Sequence, residues 1–309
     1  MVAVARDLEF FAGVMLVSEQ SVIYVVATPI GNLEDISQRA IKVLKNVDII
    51  AAEDTRRARQ LLQQLGRDKV EVVSYYDQVE QEKSVQLVAR LKSEKLSLAL
   101  ISDAGTPCIS DPGYRLVREA RKAGLTVHPI PGPSALTALV SASGLPSDRL
   151  LFVGFLPNKT SALLKEAKSW RAANASVVFY ESPRRLKKTL AILEEVYPNA
   201  EMAIGRELTK LHEEILLTDI LGAKAWCHDH EFLKGEAAIM LHLGAAPSES
   251  VEAAEDLRSQ LKKEASLGFE AGASLKDLLQ TLRDRGLPRA ELYQLLLEVK
   301  GGLDEPDAR

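Results

Sequence analysis

The chain has 309 residues, of which 46% are hydrophobic and 27% charged, with a formal net charge of −4. That length allows about two domains and at least one sizeable core, while the acidic balance excludes a protein that coats nucleic acid by bulk charge, so an RNA partner must be met by local basic patches. Two cysteines, Cys108 and Cys227, without metal-ligand or paired-thiol spacing, exclude a disulfide framework and point to a reducing, cytoplasmic setting, and no apolar run reaches the roughly 18 residues of a membrane span.

In chain order, residues 1–20 read as an extension. The apolar stretch Phe10–Val17 lacks the basic flank and cleavage site of a signal peptide, and Met15 is an alternative start. Short runs rich in Val, Ile and Leu then recur at Val22–Ala27, Val47–Ala51, Val70–Ser74, Ser97–Ile101 and Thr126–Ile130, as in buried parallel strands. Amphipathic stretches separate them. Thr55–Leu65 presents Ala58, Leu61, Leu62 and Leu65 on one face, and Pro112–Ala123 reads as a helix capped by Asp111 with Pro112 in first position. Strand–helix alternation of this period predicts an α/β sheet over residues 21–145.

The turn-rich Gly144–Asp148 marks a boundary. A second α/β domain, 146–245, carries strand candidates Leu151–Phe155, Ser176–Tyr180, Glu201–Gly205, Glu213–Leu217 and Ala237–Leu243, with helices over Ser161–Ala172 and Pro183–Val196. Its less regular helices predict a mixed sheet. Residues 245–255 read as a linker. A small helical module, 256–300, follows, with stripes Leu275/Leu278/Leu279/Leu282 and Leu292/Leu295/Leu296/Val299 on either side of Gly286–Pro288.

Chemistry is expected where strands end, since open α/β sheets bind ligands beyond the carboxyl ends of their strands. Three turns rich in Gly and Pro stand at such ends: Thr28–Asn32, Ser102–Pro107 and Ile130–Ala135. None is a dinucleotide or P-loop fingerprint; together they describe a crevice built of main chain, with Pro133 starting a helix and Ser134 in its first turn. Ser110–Gly113 reads as a helix cap first and a site second. Two further strand ends pair a carboxylate with a basic helix start: Glu53-Asp54-Thr55-Arg56-Arg57, and Glu181-Ser182-Pro183-Arg184-Arg185 with Lys187 and Lys188 beyond. Either alone is commonly a solvated face; as a pair they would frame one anionic cleft. His212-Glu213-Glu214 lacks the second histidine of a zinc helix, and no metal site is expected.

These segments resemble a known family. YVVATPIGNLEDI (24–36), AAEDTR (51–56), LISDAGTPCISDPGYRL (100–116), PIPGPSAL (129–136), SGLPSD (143–148), GFLP (154–157), FYESP (179–183), RELTKLHEE (206–214) and KGE (234–236) occur in the order and context of the tetrapyrrole methylase superfamily, and within it of the branch acting on small-subunit ribosomal RNA. The resemblance implies two α/β domains with an interdomain cofactor cleft plus a small C-terminal helical module, usually as a homodimer. It implies S-adenosylmethionine as cofactor and 2′-O-methylation of a cytidine ribose in 16S rRNA within the small ribosomal subunit. By family position, Pro29, Gly31, Ser102, Asp103, Ala104, Ile109, Ser134, Ala135 and Tyr180 are expected near the cofactor. Glu53 and Glu181 are the candidate catalytic carboxylates, and Arg56, Arg57, Arg184 and Arg185 the candidate RNA contacts. The chain departs from the family in its 74–80 segment and at Arg184, where a histidine is common. Two other readings fit the residues: a sister enzyme methylating a corrin-type ring or a modified histidine on a protein, and a non-catalytic, ribosome-associated binding protein.

Overall fold

The computed structural model describes residues 21–229, 235–243 and 248–304 apart from 284, 286 and 288; the extension expected at 1–20 lies outside the described residues. The chain falls into two compact units, Met1–Gly244 and Ala245–Arg309.

The first unit holds two five-stranded sheets. In the first, β1 (Val22–Val26), β2 (Ile49–Ala52), β3 (Glu71–Ser74), β4 (Ser97–Ile101) and β5 (Thr126–Ile130) lie in the order β3-β2-β4-β1-β5, all parallel. The inner strands β1, β2 and β4 are almost wholly apolar because both their faces are covered, whereas the edge strands β3 and β5 also carry exposed polar residues such as Glu71 and Thr126. Val22, Tyr24 and Val26 face helices α1 (Gln38–Asn46) and α2 (Thr55–Gln64), whereas Ile23 faces α3 (Glu80–Glu94) and α4 (Tyr114–Lys122). The chain leaves β1 toward β2 but leaves β4 toward β5, so neighbouring strands send their loops in opposite directions and open a crevice at their carboxyl ends.

The second sheet, β6 (Leu150–Phe155), β7 (Ser176–Glu181), β8 (Glu201–Arg206), β9 (Glu214–Asp219) and β10 (Ala237–His242), has the order β6-β7-β10-β8-β9. Only β6 and β7 are parallel, so the sheet is mixed, as its sequence predicts. One face packs under α6 (Thr160–Ser169), α7 (Pro183–Val196) and α8 (Ile220–Asp229) around Trp170, Phe179, Leu190 and Ile239. The other face receives α5 (Ala135–Ala142), the helix that follows β5, through Leu139 against Val178, Ala203 and Met240. Thus α5 carries the chain from the crevice of the first sheet onto the second.

The second unit comprises α9 (Ser248–Glu270), α10 (Leu275–Thr281) and α11 (Arg289–Asp304). Both predicted leucine stripes enter its core, joined by Leu261 and Ala265 of α9. The expected linker is corrected here: residues 248–255 are helical, because their Ala, Glu and Val content sustains a helix that α10 and α11 then anchor.

Two local expectations are also corrected. Helix α4 starts at Tyr114, so Asp111 and Pro112 lie outside it; Cys108, Ser110 and Gly113 all take positive φ, which turns the segment too sharply for helix. Helix α5 starts at Ala135 with Ser134 as its extended N-cap rather than in its first turn.

Candidate active site

The loops at the carboxyl ends of the first sheet are stitched to one another. Thr28 and Gly105 exchange both backbone hydrogen bonds, at 2.9 and 3.0 Å. The Thr28 hydroxyl donates to the Ser102 carbonyl at 3.3 Å, and the Thr106 hydroxyl donates to the Pro133 carbonyl at 3.1 Å. The Asp54 N–H donates to Asp103 at 3.0 Å, which joins the start of α2 to the same cluster. The three Gly/Pro turns therefore form one main-chain floor.

Against it stands the second sheet. The Tyr180 hydroxyl meets the Leu136 backbone and the Ser134 side chain, and burial raises its pKa. Gly31 lies against Lys210 and Thr209 in the turn after β8. That turn is built internally: Lys210 pairs with Glu207 at 2.9 Å and with Glu236 at 3.5 Å. The Glu207 N–H donates to the Glu236 carbonyl at 3.0 Å, and the Glu236 N–H donates to the Glu207 carboxylate at 3.1 Å.

Between these walls is a cavity of about 420 Å³. Of the residues singled out from sequence, Glu53, Arg57, Asp103, Ala104, Ile109, Ser134, Ala135, Tyr180, Glu181 and Arg185 line it. Pro29, Gly31 and Ser102 line a neighbouring cavity of about 290 Å³ that shares Arg57 and Asp103 with the larger one. Arg56 and Arg184 line neither and are exposed.

The charged groups differ sharply in what holds them. Glu181 is 1% exposed. Its oxygens accept from the Ser182 N–H and the Thr189 hydroxyl, both at 2.8 Å, and Arg185 lies 3.4 Å away. Arg185 in turn donates to the Leu156 and Pro157 carbonyls at 3.1 and 2.9 Å. Asp54 caps α2, accepting from the Arg56 N–H at 2.8 Å, and its contacts with that guanidinium hold its carboxyl far below the usual range. Arg57 pairs with Asp103 at 3.3 Å.

Two carboxylates in the cavity are pushed the other way. Burial raises Glu53, the charges of Asp103 and Asp77 raise it further, Arg57 opposes them, and Asp54 adds a last push. Burial likewise pushes Asp111 up to about 6, against a hydrogen bond from Ser102 and with the charges of Glu53, Asp103 and Asp77. Raised carboxylates in a cleft mark acid–base chemistry. Asp111 is legible as a cap first and a site second, and the structure reverses that order. The residues of the 207–210 turn were visible only as parts of a family motif, because their pairing with Gly235–Glu236 spans residues far apart in sequence.

The residues fit S-adenosylmethionine. The volume of about 420 Å³ lies within the roughly 300–1,000 Å³ typical of small-molecule sites. Ala104, Gly105 and Ala135 keep main chain at the surface, the free N–H groups at the start of α5 suit a carboxylate, and Asp103, Glu53 and Asp111 suit a molecule carrying an amine and a sulfonium.

Comparison with known proteins agrees. The profile of the Tetrapyrrole (Corrin/Porphyrin) Methylases matches residues 22–221. A Ribosomal RNA small subunit methyltransferase I from Mesorhizobium japonicum is 44% identical over 290 residues, covering 92% of this chain and 94% of that one. Its counterpart from Escherichia coli O157:H7 is 40% identical over 286 residues, covering 92% and 97%. Among solved structures, the methyltransferase CobJ superposes with a TM-score of 0.55 at 16% identity, over 74% of this chain and 95% of that one. Diphthine synthase superposes at 0.53 and 15%, over 72% and 90%; both likenesses concern the fold.

Proposed function

Given that the chain belongs to the tetrapyrrole methylase family and is a methyltransferase, we propose that it transfers a methyl group from S-adenosylmethionine to the 2′-oxygen of a cytidine ribose in 16S rRNA of the small ribosomal subunit, in the cytoplasm and as a homodimer. The observation that supports the substrate assignment is identity of 44% and 40%, over nearly the full length of both chains, with relatives named as methyltransferases of small-subunit ribosomal RNA.

When bound, the cofactor supplies an electrophilic methyl group on a cationic sulfur. Pro29, Gly31, Ser102, Asp103, Ala104, Ile109, Ser134, Ala135 and Tyr180 are assigned to hold it, and fixing it against the ribose supplies most of the rate enhancement. Glu53 is assigned to orient the 2′-hydroxyl and to receive its proton as the oxygen takes the methyl group, since a carboxylate raised toward neutrality is the better base. Glu181, with both oxygens bonded, serves as a positioning residue that fixes Arg185 and the start of α7. The four arginines divide in the same way. Arg56 and Arg184 are exposed and assigned to meet phosphate, Arg56 while paired with Asp54 at 2.7 Å, whereas Arg57 and Arg185 hold Asp103 and the 156–157 carbonyls.

The test is transfer of labelled methyl from S-adenosylmethionine to small subunits lacking the modification, followed by nuclease digestion and mass spectrometry. One 2′-O-methylated cytidine in 16S rRNA is the expected product. Cofactor binding without transfer to subunits or naked rRNA would overturn the assignment in favour of a sister substrate or a non-catalytic binder.

A further inference from the structure

Strand β6 pairs with β7 in two registers. Leu151 lies opposite Val177 and Phe152 opposite Val178, but Gly154 lies opposite Phe179 and Phe155 opposite Tyr180, so Val153 is an extra residue. Side chains alternate along a strand, and a one-residue insertion therefore sends everything after it to the other face. In unbroken register Phe155 would face the helix-covered core with Glu181. The bulge instead places it on the face of Phe152 and Tyr180, where it lines the large cavity. Gly154 makes this possible: it sits at φ +67°, and a Cβ there would come within 2.7 Å of the Ser110 hydroxyl.

The result is an aromatic ring that is redirected, fixed and left open. Phe155 is 64% exposed. It meets Tyr180 edge-on at 5.5 Å, and Tyr180 meets Phe152 edge-on at 5.1 Å. The next residue, Leu156, is buried, and its carbonyl is held by Arg185. The residues that follow are backed by the basic start of α7, where Lys188 approaches the Asn158 carbonyl at 3.5 Å and Arg184 and Lys187 are exposed, as is Lys159 just before α6. An open ring at the rim of a reaction cavity, bordered by cations, has the chemistry that binds single-stranded nucleic acid, with a π-face for the base and positive charge for its phosphates.

We propose that Phe155 is the stacking platform for the base of the nucleotide whose ribose is methylated, which implies that this nucleotide is drawn out of its stack to react. The inference rests on the RNA methylation proposed above. It assigns Phe155 to substrate and not to cofactor.

Full-length wild type, Phe155→Ala, Phe155→Leu and Phe155→Trp are compared for methyl transfer to unmethylated small subunits and, by calorimetry, for S-adenosylmethionine affinity. Loss of one base stack predicts a roughly 5- to 150-fold fall in kcat/KM for Phe155→Ala. Phe155→Leu should fall similarly, because it keeps apolar bulk without a π-face, and Phe155→Trp should retain activity. Cofactor affinity and the unfolding midpoint should stay at wild-type values. Wild-type rates in Phe155→Ala, full rescue by leucine, or weakened cofactor binding in step with the lost rate would each overturn the stacking role. Absence of transfer by wild type itself would instead fail the RNA reading on which it rests.

Discussion

At the scale of single residues, the cavity separates carboxylates that build the site from carboxylates free to react in it. Glu181 and Asp54 are committed to hydrogen bonds, and Asp103 to Arg57 and the Asp54 N–H. Glu53 and Asp111 are instead governed by burial and by negative neighbours. The sign of their coupling gives a test. Asp111 must lose a proton to be anionic, and burial with the charges of Glu53, Asp103 and Asp77 sets that step at about 6, so the help its charge gives to a cationic cofactor is lost as pH falls through about 6. In Asp111→Asn that titrating group is gone, and the acid limb near 6 should disappear. In Glu53→Gln the rate should fall by about 10²–10⁴-fold, the usual worth of a positioned base. An acid limb that stays near 6 in Asp111→Asn would show that Asp111 is not the group being titrated.

At the scale of elements, the helix after the central loop shows where sequence reading succeeds and where it fails. The inner strands of the first sheet were legible because burial on both faces leaves nearly unbroken apolar runs, and Pro183–Val196 was legible because proline at its first turn and an apolar stripe agree. The cap of α4 was not. Asp111 stands at the right spacing, yet Gly113, at φ 140°, turns the chain away from it and provides no side chain. The buried Glu80, first residue of α3, takes its place from 33 positions away: it accepts from the Gly113 N–H at 2.9 Å and the Arg115 N–H at 3.2 Å, with the Arg115 guanidinium 3.5 Å off. Such a contact has no local signature, and neither has the bulge that turns Phe155 into the cavity. Because Glu80 fixes the helix that ends the Ser102–Gly113 loop, Glu80→Ala should lower stability by about 1–3 kcal/mol, the cost of orphaned buried donors. Glu80→Gln, which keeps an acceptor oxygen, should cost less. Urea denaturation separates them, and equal losses in the two would remove the cap from the account.

At the scale of the whole molecule, the two units have separate cores, and among the described residues every one that lines the cavity precedes Ala245. A chain ending at residue 243 should therefore bind S-adenosylmethionine with its affinity changed by no more than about twofold, and at a hundred times Kd the cofactor should stabilise that fragment by about 2.7 kcal/mol. Calorimetry on the fragment reads both quantities, and loss of binding would show that residues beyond 243 complete the site. The proposed homodimer calls for a surface of its own. Beside the groove of about 600 Å³ lined by Leu136, Val140, Leu145 and Leu150, the first unit leaves Leu150 and Leu217 43% and 57% exposed, with Leu217 against Gly144. Two open leucines beside an apolar groove suit the centre of an interface between copies. A lysine there would be desolvated without a partner in the dimer but solvated in the monomer. Leu217→Lys should thus shift the sedimentation coefficient from dimer to monomer while leaving the unfolding midpoint of the monomer intact. A wild-type chain that sediments as a monomer would refute the dimer itself, and an unshifted dimer in the variant would place its interface on another face.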